Sequence, residues 1–128
     1  MNKSSSYRLG DLQLRIMKAL WDHQSASVAD VHEALGADSG LAYTTVATML
    51  RKMEARGLVQ HRVVERRFIY RPAIGPEAVT TSMAGDILER LFEGSLAGML
   101  HHLLTTREVS PEELRELERL IKERKKQP

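Results

Sequence analysis

Thr44, Thr45, Thr48, Arg51 and Lys52 fall within nine residues of the stretch LAYTTVATMLRKMEARGLV, and Tyr43 stands just before them. Hydroxyl, guanidinium and ammonium groups are the ones that meet phosphate oxygens and base edges. Threonine does so without holding a helix away from a groove floor, and arginine forks onto guanine or bridges phosphates. Arg66 and Arg67 form a second basic pair further on. Between Gly40 and Pro72, Arg51, Lys52, Arg56, Arg62, Arg66, Arg67 and Arg71 face only Glu54 and Glu65. A local excess of that size suits a polyanion, although solvated basic faces are also common.

Other chemistries find less to work with. The chain has no cysteine, which removes disulfides, thiolate catalysis and cysteine-ligated metals. His32 and Glu33 begin an HExxH pattern, but Gly36 stands where the second histidine should be. His101 and His102 are adjacent on an expected helix and point to different sides, so one should pack and the other be solvated. No Ser-His-Asp set, carboxylate pair or Gly-rich phosphate loop is localised. The reading is a protein without catalytic residues, metal or cofactor.

The elements that must position the basic residues follow from periodicity and turn chemistry. Leu12, Ile16, Ala19 and Leu20, with Met17 and Trp21 beside them, predict a helix from about Asp11 to His23. Ser27 with Asp30 three residues on resembles a capping box, and Val28, Val31 and Leu35 then make a short second helix that stops at Gly36. After the turn-rich GADSG, a third helix runs from about Leu41 or Ala42 to Arg56 and ends on Gly57. LVQHRVV and RFIYRP, separated by Glu65 and Arg66, predict a β-hairpin. An isolated hairpin is marginal in water, so this one should pair with a short strand before the second helix. Val79, Met83, Ile87 and Leu91 begin a fourth helix, Leu96 to Leu104 a fifth, and Ser110 with Pro111 and Glu113 a sixth, whose KERKKQP tail should fray.

The expected fold is therefore mainly α with a small β-hairpin: a winged helix-turn-helix over residues 1–76 and a helical region over 77–128. With about 100° per residue and Val46 as origin, Met49, Leu50 and Met53 lie within about 60° and define a buried stripe. Thr44, Thr48, Arg51 and Ala55 lie opposite, flanked by Thr45 and Lys52. A merely wet face usually carries Glu, Lys, Gln and Ala, whereas three threonines in five residues are poor helix formers. Helix stability does not explain them, which favours a DNA-reading face over plain solvation.

In order, RLGDLQLRIMKALWD, VADVHEALG, LAYTTVATMLRKMEARGLV, RFIYRP and LERLFEGSLAGMLHHLL resemble the penicillinase-repressor family of transcription regulators (BlaI, MecI and CopY) over nearly the whole chain. The resemblance implies an N-terminal winged helix bound to a palindromic operator in double-stranded DNA, with the third helix as recognition helix. Arg66 and Arg67 would then lie in the wing, beside flanking phosphates. It also implies a C-terminal helical region that makes a homodimer. Copper-responsive members end in a cysteine-rich site that this chain lacks. In β-lactam-responsive members a regulatory membrane metalloprotease system leads to cleavage at an Asn-Phe bond, and the aligned residues here are His102 and Leu103, which do not match it.

Charge and hydropathy agree with such a division. Residues 1–76 carry 11 Lys+Arg against 7 Asp+Glu, and residues 77–128 carry 8 against 10. The second region is too small to bury a secure core alone, so Ile87, Leu91, Phe92, Leu96, Leu100, Leu103, Leu114, Leu117 and Ile121 are expected at a dimer interface. The start MNKSSSYRLG lacks a signal peptide's apolar stretch and no run reaches the roughly 18 to 20 apolar residues of a membrane span, so the expected place is the cytoplasm, without membrane insertion. Two rival functions share the fold: a protein-interaction adaptor whose winged helix no longer binds DNA, and a regulator with a small-molecule pocket among its C-terminal helices.

Overall fold

The computed structural model describes residues 7–36 and 39–127. Nine elements follow in order: α1 (Asp11–His23), β1 (Ala26–Ser27), α2 (Val28–Leu35), α3 (Tyr43–Ala55), β2 (Val59–Val64), β3 (Arg67–Pro72), α4 (Pro76–Phe92), α5 (Leu96–Thr106) and α6 (Pro111–Lys125). The short strand expected before the second helix is present, and the three strands lie in the order β1-β3-β2, all antiparallel. Of the turn expected over GADSG, residues 37 and 38 lie outside the described residues. The sixth helix continues through Lys125, well into the segment expected to fray.

Local chemistry accounts for the boundaries. At the start of α2 the Ser27 hydroxyl accepts from the Asp30 amide at 3.1 Å, and the Asp30 carboxylate accepts from the Ser27 amide at 3.1 Å, a complete capping box. Hydrogen bonding to the carboxyl from the Ser27 amide first and the Ser27 side chain next holds Asp30 below its ordinary pKa, with Arg67 and His23 adding smaller attractions. α3 ends in a Schellman arrangement, in which Leu58 N–H donates to Met53 O and Gly57 N–H to Glu54 O, both at 3.0 Å. Gly57 adopts φ +81°, where a side chain would be strained.

The chain divides into two compact units, Met1–Gly85 and Asp86–Pro128. The division of contacts falls inside α4, beyond the residue 76/77 boundary expected from the prolines. Within the first unit, Ile16, Met17 and Leu20 of α1, Val31 of α2, and Val46, Leu50 and Met53 of α3 are wholly removed from solvent. Leu58, Val59 and Tyr70 of the hairpin and Val79 of α4 complete the cluster. Met49, expected in the same stripe, lies at its edge and is only half-buried, with its thioether accepting from the Gln13 amide at 3.5 Å. Trp21 Nε1 donates to Ile74 O at 2.9 Å, tying α1 to the segment after β3.

In the second unit, α5 and α6 contain no buried residue. Among the expected dimerisation residues, Ile87, Leu91, Leu96, Leu114 and Ile121 are exposed, while Phe92, Leu100, Leu103 and Leu117 are half-buried. His101 and His102 are both exposed, which corrects the expectation that one would pack; the His102 ring merely lies 5.9 Å from that of Phe92. Among the described residues no helix is long and apolar enough to cross a membrane.

Leu50 shows no exposed surface and sits in the middle of the α3 stripe. Leu50→Ala should cost about 2–5 kcal/mol of unfolding free energy, measured by urea denaturation, whereas a loss below about 1 kcal/mol would mean that the stripe does not anchor the helix.

Candidate nucleic-acid interface

Two contacts aim α3. His32 of α2 donates from Nε2 to Leu41 O at 2.7 Å, and its ring meets Tyr43 edge-on at 6.1 Å. The histidine that resembled half of a metal motif is thus a tie across the turn between α2 and α3. On the other side Arg56 donates to Arg8 O at 3.0 Å and to Gln13 Oε1 at 3.3 Å. The helix begins at Tyr43, and Ala42 before it offers no side-chain cap, nor does the first turn hold an acidic residue. The positive end of its dipole is therefore not offset by a side-chain anion of that turn.

With Val46, Leu50 and Met53 inward, Tyr43, Thr44, Thr45, Thr48, Arg51 and Lys52 are all exposed. They do not form one uniform strip. Tyr43, Ala47 and Arg51, spaced by four residues, line a groove of about 350 Å³ shared with Arg66, Arg67 and Phe68 of the hairpin. Thr44, Thr45, Thr48 and Lys52, with Met49, border a shallower depression of about 260 Å³ on the other flank. Arg51 bridges the two, its Nη2 donating to Thr48 Oγ1 at 3.3 Å. All eight residues expected at the interface thus lie on α3 or the hairpin tip, and three arginines from these two elements meet at one groove.

The hairpin tip is a two-residue turn. Glu65 and Arg66 have φ +51° and +67°, the left-handed conformation that such turns need and that Asn-Gly normally supplies. Every residue from Arg62 to Phe68 is exposed, so the tip stands clear of the core.

Side chains not expected from the sequence also belong to this surface. Phe68, 43% exposed, stacks on His61 with ring centres 4.0 Å apart and planes 13° from parallel. His61 Nδ1 donates to Glu54 Oε1 and Oε2 at 2.7 and 2.9 Å, joining β2 to the last turn of α3. Burial, and secondly the Glu54 charge, push the Tyr70 hydroxyl pKa up, while Arg51 opposes the rise. The Tyr43-Ala47-Arg51 spacing could have been read from the sequence as one line of a helix. The Glu54–His61 pair has no such signal, because its members belong to different periods on either side of Gly57.

The geometry can be set beside known proteins. A family profile described as penicillinase repressor matches residues 9–123. The chain is 29% identical over 118 residues to the penicillinase repressor of Bacillus licheniformis, covering 92% of each chain. It is 35% identical over 99 residues to the transcriptional regulator BlaI of Mycobacterium tuberculosis (strain CDC 1551 / Oshkosh), covering 76% of this chain and 72% of that one. The solution structure of the DNA binding domain of the repressor BlaI is similar at a TM-score of 0.51 and 29% identity, over 61% of this chain and 93% of that one.

Replacing Arg66 tests whether the tip is strained. Arg66→Gly should raise stability by about 0.5–1.5 kcal/mol in thermal or urea unfolding, since glycine adopts φ +67° without penalty. An unchanged or lower stability would show that the turn is not strained.

Proposed function

Because the chain belongs to the penicillinase-repressor family, we propose that it is a transcriptional repressor that binds a palindromic operator as a homodimer, through α3 and the β-hairpin wing. The observation that carries this reading is the convergence of Arg51 with Arg66 and Arg67 at one groove beside an exposed row of threonines. A related solved structure is that of a DNA binding domain, which supports the same use of these elements. The family is one of repressors rather than enzymes.

In this mechanism α3 enters the major groove, whose width of about 12 Å admits a helix. Thr44, Thr45 and Thr48 then approach base edges. Tyr43, Arg51 and Lys52 reach bases or phosphates on either flank, and Arg66 and Arg67 neutralise the backbone beside the wing. Phosphate contacts set affinity and its salt dependence, and base contacts set sequence preference. No cofactor enters. Occupancy of a promoter excludes polymerase, which places the protein with the DNA in the cytoplasm.

The second unit supports dimerisation by what it lacks. Leu91 and Leu96 expose 72% and 69% of their surface, and a leucine-rich helical face left so open is stabilised when a second copy covers it. Two copies related by a two-fold axis present two recognition helices to half-sites about one or more helical turns apart. A protease acting at the family's cleavage position would meet His102 and Leu103 inside α5, and would have to unwind the helix to reach the peptide bond.

Fluorescence anisotropy with duplex DNA from upstream of the protein's own gene tests the DNA reading. Arg67→Ala should lower the slope of log affinity against log salt by about 1, and Thr48→Ala should lose about 1–3 kcal/mol of discrimination between operator and altered duplexes. Unchanged slope and preference in both variants would sink the assignment of this face. Sedimentation velocity at micromolar concentration should give a dimer, and Leu91→Glu should raise the dimer dissociation constant more than about tenfold. A wild-type monomer under those conditions removes the dimeric half of the proposal.

A further inference from the structure

We propose that Glu54 and His61 are positioning residues for DNA binding: their hydrogen-bonded pair holds the hairpin where it leaves the body of the domain, and so sets where Arg66 and Arg67 fall relative to α3. The inference rests on the reading of α3 and the wing as a DNA-binding surface, and it assigns to these two residues a task that neither family membership nor that reading requires.

Three observations carry it. The first is where support for the hairpin ends. Val59 of β2 and Tyr70 of β3 are buried and His61 is half-buried, but everything from Arg62 through Phe68 is exposed. His61 pairs in register with Tyr70, one step below the Ser27–Ile69 pair at which β1 last holds β3, so on the β2 side it marks the last level at which the hairpin is held against the domain. The second is the directness of the link. His61 Nδ1 donates to both Glu54 oxygens at 2.7 and 2.9 Å, while its ring stacks on Phe68 at 4.0 Å and lies 5.5 Å from that of Tyr70. One imidazole thereby ties α3 to β2 and β3 together. The third is the cost of Glu54 itself. A carboxylate in the last turn of a helix opposes the helix dipole, and one beside a polyanion repels it. Neither helix stability nor DNA affinity favours an acid there, whereas a fixed acceptor for His61 does.

The lever makes the pair matter. Glu65 lies four residues beyond His61, which at about 3.3 Å per residue puts the tip roughly 13 Å away. A rotation of about 10° at His61 would carry the arginines about 2 Å, more than a phosphate hydrogen bond tolerates. The threonines of α3, fixed by the core, would not move. Glu54, Tyr70 and Arg51 are the polar groups around this joint, and Arg51 is itself at the interface.

Operator affinity in combined variants separates positioning from general weakening. His61→Phe keeps the aromatic stack on Phe68 and removes the donor; Glu54→Gln keeps an acceptor and removes the charge. In the wild-type background His61→Phe should weaken operator binding about five- to tenfold by anisotropy, and Glu54→Gln by less. In an Arg66→Ala/Arg67→Ala background both losses should vanish, since there is no wing charge left to misplace, whereas in a Thr48→Ala background they should persist in full. Equal losses in all three backgrounds, or no loss in the wild type, overturn the inference. If His61→Phe fails to melt cooperatively, Glu54→Gln carries the same cycle. Absence of operator binding by the wild-type chain is a separate result, read before any variant is made, and it removes the DNA reading along with the inference.

Discussion

Val46, Leu50 and Met53 are each completely removed from water, against side chains of α1, α2 and the hairpin. A helix anchored along one side in this way cannot turn about its axis without exposing those three side chains, each of which contributes roughly 1.5–3 kcal/mol by its burial. That constraint decides which residues face outward. Tyr43, Thr44, Thr48 and Arg51 are presented to solvent because the opposite face is committed to the core. The His32 and Arg56 hydrogen bonds at the two ends of the helix then refine a direction that apolar packing has already chosen.

The hairpin obeys a different logic. Its base is packed and paired with β1, but its tip is built from residues that pay conformational strain for their charge. A two-residue turn with Glu65 and Arg66 in left-handed backbone is less stable than one with Asn-Gly. Residues that break a local rule without a structural gain tend to mark function. The same holds for the threonines of α3 and for Glu54, each a poor choice for the helix that contains it.

Much of this was legible in the sequence because each signal was local. The capping box at Ser27, the glycine stop at Gly57, and the alternating residues about Glu65 and Arg66 act within a few positions, and the structure forms the element expected at each. The α4 stripe shows where such reading fails. Val79, Met83, Ile87 and Leu91 keep one period throughout, yet Val79 is buried in the first unit and Leu91 is open to water. Periodicity reports which side of a helix is apolar, not whether anything covers it, so the division at Gly85 was invisible. Met49 likewise lies within the apolar arc but at its edge, where a neighbouring glutamine claims it. The Glu54–His61 joint depended on the twist of the hairpin against α3, which no single segment encodes.

The absence of any buried side chain in α5 and α6 has a consequence for how such a protein would be controlled. When a second copy supplies the missing cover, the folding of that half follows mass action, and its stability rises with the amount of protein in the cell. On the proposed dimer, abundance becomes an input in its own right: a rise in synthesis would complete the second unit while the first is already folded.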